Sequence, residues 1–310
     1  MSAPLHNAAR VQAFLDRFVD RRPAFAKELL RAQATDPATF GELAPTLLGW
    51  AAAKLGEGWE DRLIDGYCAF VYDVNRSQAR YEQTGAYAHR SFEEVRAATY
   101  DDPEFMGLYH WGVFVTTFGW THHLPLYRLY RDHFLAPLAA RGAQPRLLDL
   151  GCGSGVWHLL ALRAIPGARV QAVDISPTSV AEGRDTAAGL GLSTAWTCAD
   201  ATTFTAEAPV DGAVSGFLLE HLEQPQALID NLARNLAPGG LAFITCALTA
   251  AEVDHIYELR RESEPVRMCE EAGLRVLSTF SSAPAGVSPK KRFLPRSMGL
   301  VLERRRGELW

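Results

Sequence analysis

The sequence predicts an α/β protein, a doubly wound and mostly parallel sheet preceded by an all-helical N-terminal cap. Three observations carry this. Residues 1–145 show helical periodicity without strand-like alternation. From Arg146 onward, short apolar runs alternate with helical stretches. A glycine-rich turn, Gly151-Cys152-Gly153-Ser154-Gly155, joins the first such run to the helix that follows it.

The cap can be read element by element. Between Asn7 and Asp20, Val11, Phe14, Leu15, Phe18 and Val19 fall on one helix face. Pro23 marks the start of the next helix, and Asp36-Pro37 is an N-cap followed by proline at the first helical position. Trp59, Leu63, Tyr67, Phe70, Val71 and Val74 line one face of a long helix. Ser91-Phe92-Glu93-Glu94 has the form of a capping box, and Asp102-Pro103 repeats the Asp-Pro start. Gly142-Ala143-Gln144-Pro145 reads as the link to the second part, giving domains of residues 1–145 and 146–310.

The strand candidates then follow in order: RLLDL, ARVQAVD, STAWTCAD, VDGAVSGF, GLAFITCAL, LRVLSTFS and SMGLVLER. Helices are expected after the first, second, fourth and fifth. The polar stretch from Ser281 to Arg292 joins the last two strands and is expected to be mobile.

Composition narrows the function. At 310 residues the chain can bury a core without a disulfide or metal staple. With 48% hydrophobic and 22% charged residues it is neither disordered nor fibrous. A net charge of −5 argues against a protein that grips nucleic-acid backbones. The five cysteines are scattered, with no C-x-x-C pair, which suits a reducing compartment and excludes a cysteine-built zinc site. No signal-peptide pattern or membrane-spanning apolar run is evident, so a cytoplasmic protein with no membrane partner is expected.

The glycine turn is the strongest functional signal. Glycine permits a tight turn and close approach of the backbone to a ligand. Asp174 ends the next strand, nineteen residues past Gly155, where an acid can accept from ribose hydroxyls. Dinucleotide sites read G-x-G-x-x-G; here the pattern is D-x-G-x-G-x-G from Asp149, with Val156 where the third dinucleotide glycine would fall.

This pattern resembles motif I of the class I S-adenosylmethionine-dependent methyltransferases, and the resemblance continues. Val173-Asp174-Ile175-Ser176 looks like the ribose-binding strand end, and Cys198-Ala199-Asp200-Ala201 like the adenine-reading turn. Asp211 to Leu222 looks like the fourth strand and its loop, and Leu236-Ala237-Pro238-Gly239-Gly240 like the turn before the fifth. The resemblance implies a seven-stranded Rossmann-like sheet and S-adenosylmethionine as cofactor. It implies that Asp149 and the backbone of Gly151, Cys152 and Gly153 hold the methionine end, with Gly155 completing the turn. Asp174 would hold the ribose, Ile175 pack on the adenine, Asp200 and the Ala201 N–H read its edge, and the Phe217 carbonyl face the sulfonium. Cys152 is expected to pack rather than react.

The acceptor side is less defined. Ten aromatics and four histidines crowd between Tyr100 and Phe134, including Phe105. The family commonly closes a helix from this region over the cofactor, and aromatic faces suit a sulfonium. Tyr109, His110, Trp111, Trp120 and His122 are therefore acceptor-side candidates, with His255 and Tyr257 after the fifth strand. If the acceptor needs a base, His110, His221 and Glu220 are the candidates in that order. His221 is also readable as part of a surface helix N-terminus, and Asp254 and His255 as part of an exposed helix face. No metal is expected, because the adjacent His122 and His123 would point about a quarter-turn apart on a helix.

Phe217-Leu218-Leu219-Glu220 replaces the Asn/Asp-Pro-Pro-aromatic motif of nucleic-acid amino methylases. Lys290-Lys291-Arg292 reads as a solvated loop. The expected function is methyl transfer to a small molecule in specialised metabolism, under a helical lid. The alternative is a cyclase or lyase on the same fold, in which the amino group of S-adenosylmethionine displaces methylthioadenosine. The apolar cap faces also leave room for a homodimer.

Overall fold

The computed structural model describes residues 3–96, 99, 103–142 and 144–306, so Tyr100 and Asp102 lie outside the described residues. The cap comprises α1 (Ala3–Arg21), α2 (Pro23–Thr35), α3 (Pro37–Leu55), α4 (Trp59–Thr84), α5 (Phe92–Val95) and α6 (Pro103–Gly119). Next, α7 (Leu124–Leu129) runs through a π-helical stretch, Tyr130–Leu135, into α8 (Ala136–Ala139). The local signals act as expected. Asp36 Oδ1 accepts from the Thr39 N–H at 3.1 Å, and Ser91 Oγ accepts from the Glu94 N–H at 3.3 Å. The Glu94 carboxylate reaches back one residue further than a capping box requires, to the Arg90 N–H at 3.1 Å.

Helices α4 and α6 cross closely because both are notched by glycine. A Cβ on Gly112 would overlap Phe70, and one on Gly66 would stand 3.0 Å from the Leu108 carbonyl. This crossing brings Phe70 and Tyr109 into edge contact at 5.4 Å.

The sheet comprises β1 (Arg146–Leu150), β2 (Arg169–Asp174), β3 (Thr194–Cys198), β4 (Val210–Gly216), β5 (Leu236–Leu248), β6 (Leu274–Ser282) and β7 (Arg296–Arg304). Its order is β3-β2-β1-β4-β5-β7-β6, with only β7 antiparallel to its neighbours. Helix α9 (Val156–Ala164) follows β1, α10 (Pro177–Gly189) follows β2, α11 (Pro225–Asn235) follows β4, and α12 (Ser263–Glu271) precedes β6. The seven-stranded Rossmann-like sheet therefore has helices on both faces.

Two boundaries differ from expectation. β5 starts at Leu236, because Val210 pairs with Leu236 before the register shifts to Gly212 with Leu241, absorbing the Pro-Gly-Gly turn as an irregularity. No helix follows β5 directly. Residues 249–262 form an irregular segment pinned by α4: the Ala251 N–H donates to Gln78 Oε1 at 2.9 Å, and Gln78 Nε2 donates to the Thr249 carbonyl.

One apolar core runs from Phe14, Phe18 and Leu43 of the cap through Tyr130 and Phe134 to Phe243 and Val301 of the sheet. Most of the first helix's apolar face is thus covered within the chain, while Val19 stays exposed. A second core on the other sheet face joins Leu148, Leu150 and Ile244 to Leu228 and Leu232 of α11 and Met268 of α12. Among the described residues no helix is long and apolar enough to cross a membrane.

Candidate active site

The strand order reverses between β1 and β4, and such a switch point opens a crevice beyond the strands' carboxyl ends. The glycine turn stands there. Gly151, Gly153 and Gly155 have φ of +71°, +49° and +79°, a region that side chains disfavour. A Cβ on Gly151 would overlap the Leu218 side chain, whereas one on Gly153 would meet nothing within 4 Å. The second position is an open cradle on the cavity side of the turn.

Hydrogen bonding defines what the turn can hold. The N–H groups of Gly151 and Cys152 both donate to the Val173 carbonyl, at 2.8 and 3.0 Å. The Gly153 N–H donates to Asp174 Oδ2 at 2.8 Å. With these three donors engaged, backbone carbonyls are the polar groups left to this part of the turn. Carbonyls match an ammonium group better than a pyrophosphate. Asp174 Oδ1 accepts from the Ser176 N–H at 2.9 Å. Burial raises the Asp174 carboxyl above its ordinary value, and these two backbone bonds oppose the shift.

A cavity of about 620 Å³ extends from this turn to the cap. It brings together Gly151, Cys152, Gly153, Asp174 and Phe217 with Tyr109, His110, Trp120 and His122, and with Glu220, His221 and His255. Seven other candidates are not on its lining. Asp149 lies beneath the turn, its Oδ2 at 2.7 Å from His158 Nδ1, and its Oδ1 has no partner among the described residues. Gly155 caps α9. Ile175 is exposed at the end of β2. Asp200 Oδ1 accepts from the Thr202 N–H at 2.8 Å, and the Ala201 carbonyl accepts from Asn231 at 2.8 Å. Trp111 packs edge-on against Phe114, and Tyr257 packs on the second core. The Phe105 side chain lies outside the described residues.

His110 is held at both ring nitrogens. Its Nδ1 is 2.7 Å from Glu182 Oε2 and its Nε2 is 3.1 Å from Ser179 Oγ, so both ring nitrogens are engaged by α10. It fastens α6 over the Asp174 end of the cavity. Trp120 Nε1 donates to the Tyr67 hydroxyl at 3.1 Å, and its ring stacks on His122 at 5.1 Å. His122 and His123 stand in a turn rather than a helix, both buried, with ring centroids 4.6 Å apart. Burial lowers both, His123 to about 3, so both are neutral rings. His123 stacks on Phe217 at 5.1 Å. Phe217 itself holds φ +50° at the end of β4, a strained conformation of the kind that gathers at functional sites. Cys152 is buried and its thiol raised by burial, so it packs as a neutral group.

Of the two readings open for His221, Asp254 and His255, the exposed one is corrected. All three are buried, in a 3₁₀ turn (Leu219–His221) and in the irregular segment after β5. The turns fold together because the Glu220 carbonyl accepts from the Ile256 and Tyr257 N–H groups, at 2.8 and 2.9 Å. Glu220 Oε1 accepts from the Ala247 N–H at 3.0 Å, and Oε2 has no partner among the described residues. Burial raises Glu220 to about 7, which the neighbouring His221 partly offsets. Burial alone would lower His221, but Asp254, with Glu220 and Glu252, outweighs it and carries the ring to about 10. His255, buried beside His221, is lowered to about 3.

Sequence reasoning missed His123, Glu252, Glu182, Ser179 and Gln78. Each reaches the site through a tertiary contact with no local signature. The loop between β6 and β7 was read as polar and mobile, yet its Pro284, Val287 and Lys291 line the cavity. It is tied to the cap by Arg31 donating to the Ala285 carbonyl at 2.9 Å and by an ion pair of Lys291 with Glu82 at 2.6 Å.

The sheet order and the glycine turn at its switch point define an α/β domain that binds a nucleoside-containing cofactor. Residues 147–240 match the family described as a methyltransferase domain. In this stretch the chain is similar to the class I S-adenosylmethionine-dependent methyltransferases, enzymes that use S-adenosylmethionine. A trans-aconitate 2-methyltransferase of Methylobacterium nodulans is 32% identical over 153 residues, covering 48% of this chain and 57% of that protein. A ubiquinone biosynthesis O-methyltransferase of Xylella fastidiosa is 33% identical over 102 residues, covering 32% and 41%. The chain spans about half the length of the curated relatives it matches. Among solved structures, the N-methyltransferase NodS of Bradyrhizobium japonicum matches at 20% identity and a TM-score of 0.43, covering 58% of this chain and 97% of that one.

Proposed function

We propose that this chain transfers the methyl group of S-adenosylmethionine to a small-molecule acceptor bound between the helical cap and the sheet. The supporting observation is the single cavity that joins the glycine turn and Asp174 to Trp120, His122, Glu220 and His221. When bound, the cofactor supplies a methyl group already activated by positive sulfur. The residues of the chain do the rest. Gly153 leaves room at the turn, and the backbone carbonyls of Gly151 and Gly153 receive the amino group. Asp174 receives the ribose hydroxyls, with Ile175, Asp200 and the Ala201 N–H towards the adenine.

The cap, residues 1–145, is the acceptor-binding part. Alignment is its main contribution, because in-line displacement requires the reacting atoms to be held near attack distance. Aromatic walls from Trp120, Tyr109 and Phe217 exclude water there. Asp149 acts through His158 beneath the turn rather than on the ligand. For an acceptor carrying O–H or N–H, Glu220 is the better placed base. Burial holds it near neutrality, and its Oε2 is open to a new partner. The net charge of −5 favours a small acceptor over a nucleic acid.

Product analysis tests this reading. Incubation with S-adenosylmethionine and candidate acceptors is expected to release S-adenosylhomocysteine only when an acceptor is present. Methylthioadenosine formed without acceptor would instead establish the cyclase or lyase reaction.

A further inference from the structure

We propose that Glu220, His221 and His255 form a site for one divalent first-row transition-metal ion in the cavity wall, with Glu252 beside it as a further ligand. The three residues come from two turns more than thirty positions apart in the chain, after β4 and after β5. Their potential ligand atoms all lie within 4.8 Å of one another, and all three residues are buried. Two ligands held at about 2.1 Å from one ion stand at most ~4.2 Å apart. The side chains therefore need to close in by less than about 1 Å each.

The hydrogen bonds around the rings are those that metal-ligating histidines make. His255 Nδ1 donates to the Ala250 carbonyl at 2.8 Å, and His221 Nδ1 donates to the Asp254 carbonyl at 3.2 Å, with Asp254 Oδ2 at 3.3 Å. A carbonyl can only accept, so the neutral His255 ring keeps its lone pair on Nε2, and His221 gives up its Nε2 proton when it binds an ion. The Ala250 carbonyl is itself fixed by the Tyr87 hydroxyl at 2.7 Å. Glu220 supplies an independent sign: it is fully buried, lines the cavity, and leaves Oε2 without a partner among the described residues. A buried acceptor of this kind costs free energy unless something binds it. Glu252 and Asp254 add two more carboxylates, and Glu252 Oε2 is 3.9 Å from His255 Nε2.

The donor set selects the class of ion. Two imidazoles with one or two carboxylates suit zinc, iron(II), cobalt(II) or manganese(II), and not calcium or magnesium, which take oxygen ligands. Because Glu220, His221, Glu252 and His255 also line the cavity, the ion keeps a position open to a ligand there. This deepens the methyl-transfer reading and rests on it for one point only: an acceptor oxygen bound to the ion would be held, with its O–H acidified, close to Phe217.

The test uses the full chain stripped of metal, titrated with Zn²⁺ by calorimetry and with Co²⁺ by visible absorption. One ion per chain is expected, with Co²⁺ bands reporting imidazole and carboxylate ligation. Asp254→Asn, which loosens only the positioning of His221, is expected to weaken binding about 10–100-fold. Glu220→Gln and His255→Gln are expected to weaken it further, and circular dichroism melting verifies that each variant folds. Absence of saturable binding, unchanged affinity in both Glu220→Gln and His255→Gln, or methylammonium bound more tightly than either metal overturns the proposal. Calorimetry with S-adenosylmethionine on the same metal-free protein separates the two readings. Cofactor binding without metal binding overturns the metal site alone, and metal binding without cofactor binding overturns the methyl-transfer reading alone.

Discussion

Asp149 and His158 form a closed pair under the glycine turn, with Oδ2 and Nδ1 2.7 Å apart and both side chains no more than 2% exposed. The turn is thus supported from below by the helix that it introduces. Removing the ring leaves a buried carboxylate without its partner, at a cost of about 3–5 kcal/mol. His158→Ala is expected to lower the thermal midpoint strongly in differential scanning calorimetry. A midpoint within a degree of the parent would show that the pair does not support the turn.

Asp174 has both carboxylate oxygens fixed by backbone N–H groups, which leaves their second lone pairs for ribose hydroxyls. Asp174→Ala is expected to abolish S-adenosylmethionine binding in calorimetry, with a smaller loss of stability as Gly153 loses its acceptor. Near-normal affinity would remove Asp174 from the cofactor site.

His110 joins α6 to α10 through Glu182 and Ser179. His110→Ala is expected to raise KM for S-adenosylmethionine several-fold while leaving most of kcat. A large fall in kcat with KM unchanged would restore the general-base role that the sequence suggested.

His122 and His123 give a signed pH dependence. In the unfolded chain a histidine takes up its proton near pH 6.5, whereas burial lowers the folded His123 to about 3 and His122 in the same direction. The unfolded state therefore binds more protons below pH 6.5. The stability lost is about 1.4 kcal/mol per pH unit for each ring until the folded group titrates. Above pH 6.5 the effect vanishes. Glu220 and Glu252 shift in the opposite sense, so the clean measurement is a difference. Urea denaturation of the parent and of the double variant His122→Asn, His123→Asn is expected to converge as pH falls from 7 to 5. A pH-independent gap would contradict buried, neutral rings.

Strand and helix order was legible because it rests on local grammar. Apolar runs, Asp36-Pro37, Ser91 and the glycine turn all act within a few residues. The glycine-turn end of the cavity was legible for the same reason, since Gly153 and Asp174 stand on consecutive strand ends. The acceptor end was not. The partners of His110 were hidden, because nothing near it in the chain reveals Glu182 and Ser179. The burial of His221 and His255 was not decided by the sequence, because it depends on the segment after β5, which α4 holds through Gln78.

By itself, the sequence determined an α/β protein of class I methyltransferase pattern, with a glycine turn and Asp174 at its centre. Backbone preference and apolar periodicity specify these without reference to distant contacts. Only the tertiary structure decided which side chains face the cavity. It turned Asp149 inward to His158, set Trp111 and Tyr257 into packing roles, and brought Glu220, His221, Glu252 and His255 together. Those placements depend on how α4 and α6 cross within the cap, close-packed at Gly66 and Gly112, and on hydrogen bonds between segments far apart in the chain. Such contacts form only once the whole core has closed.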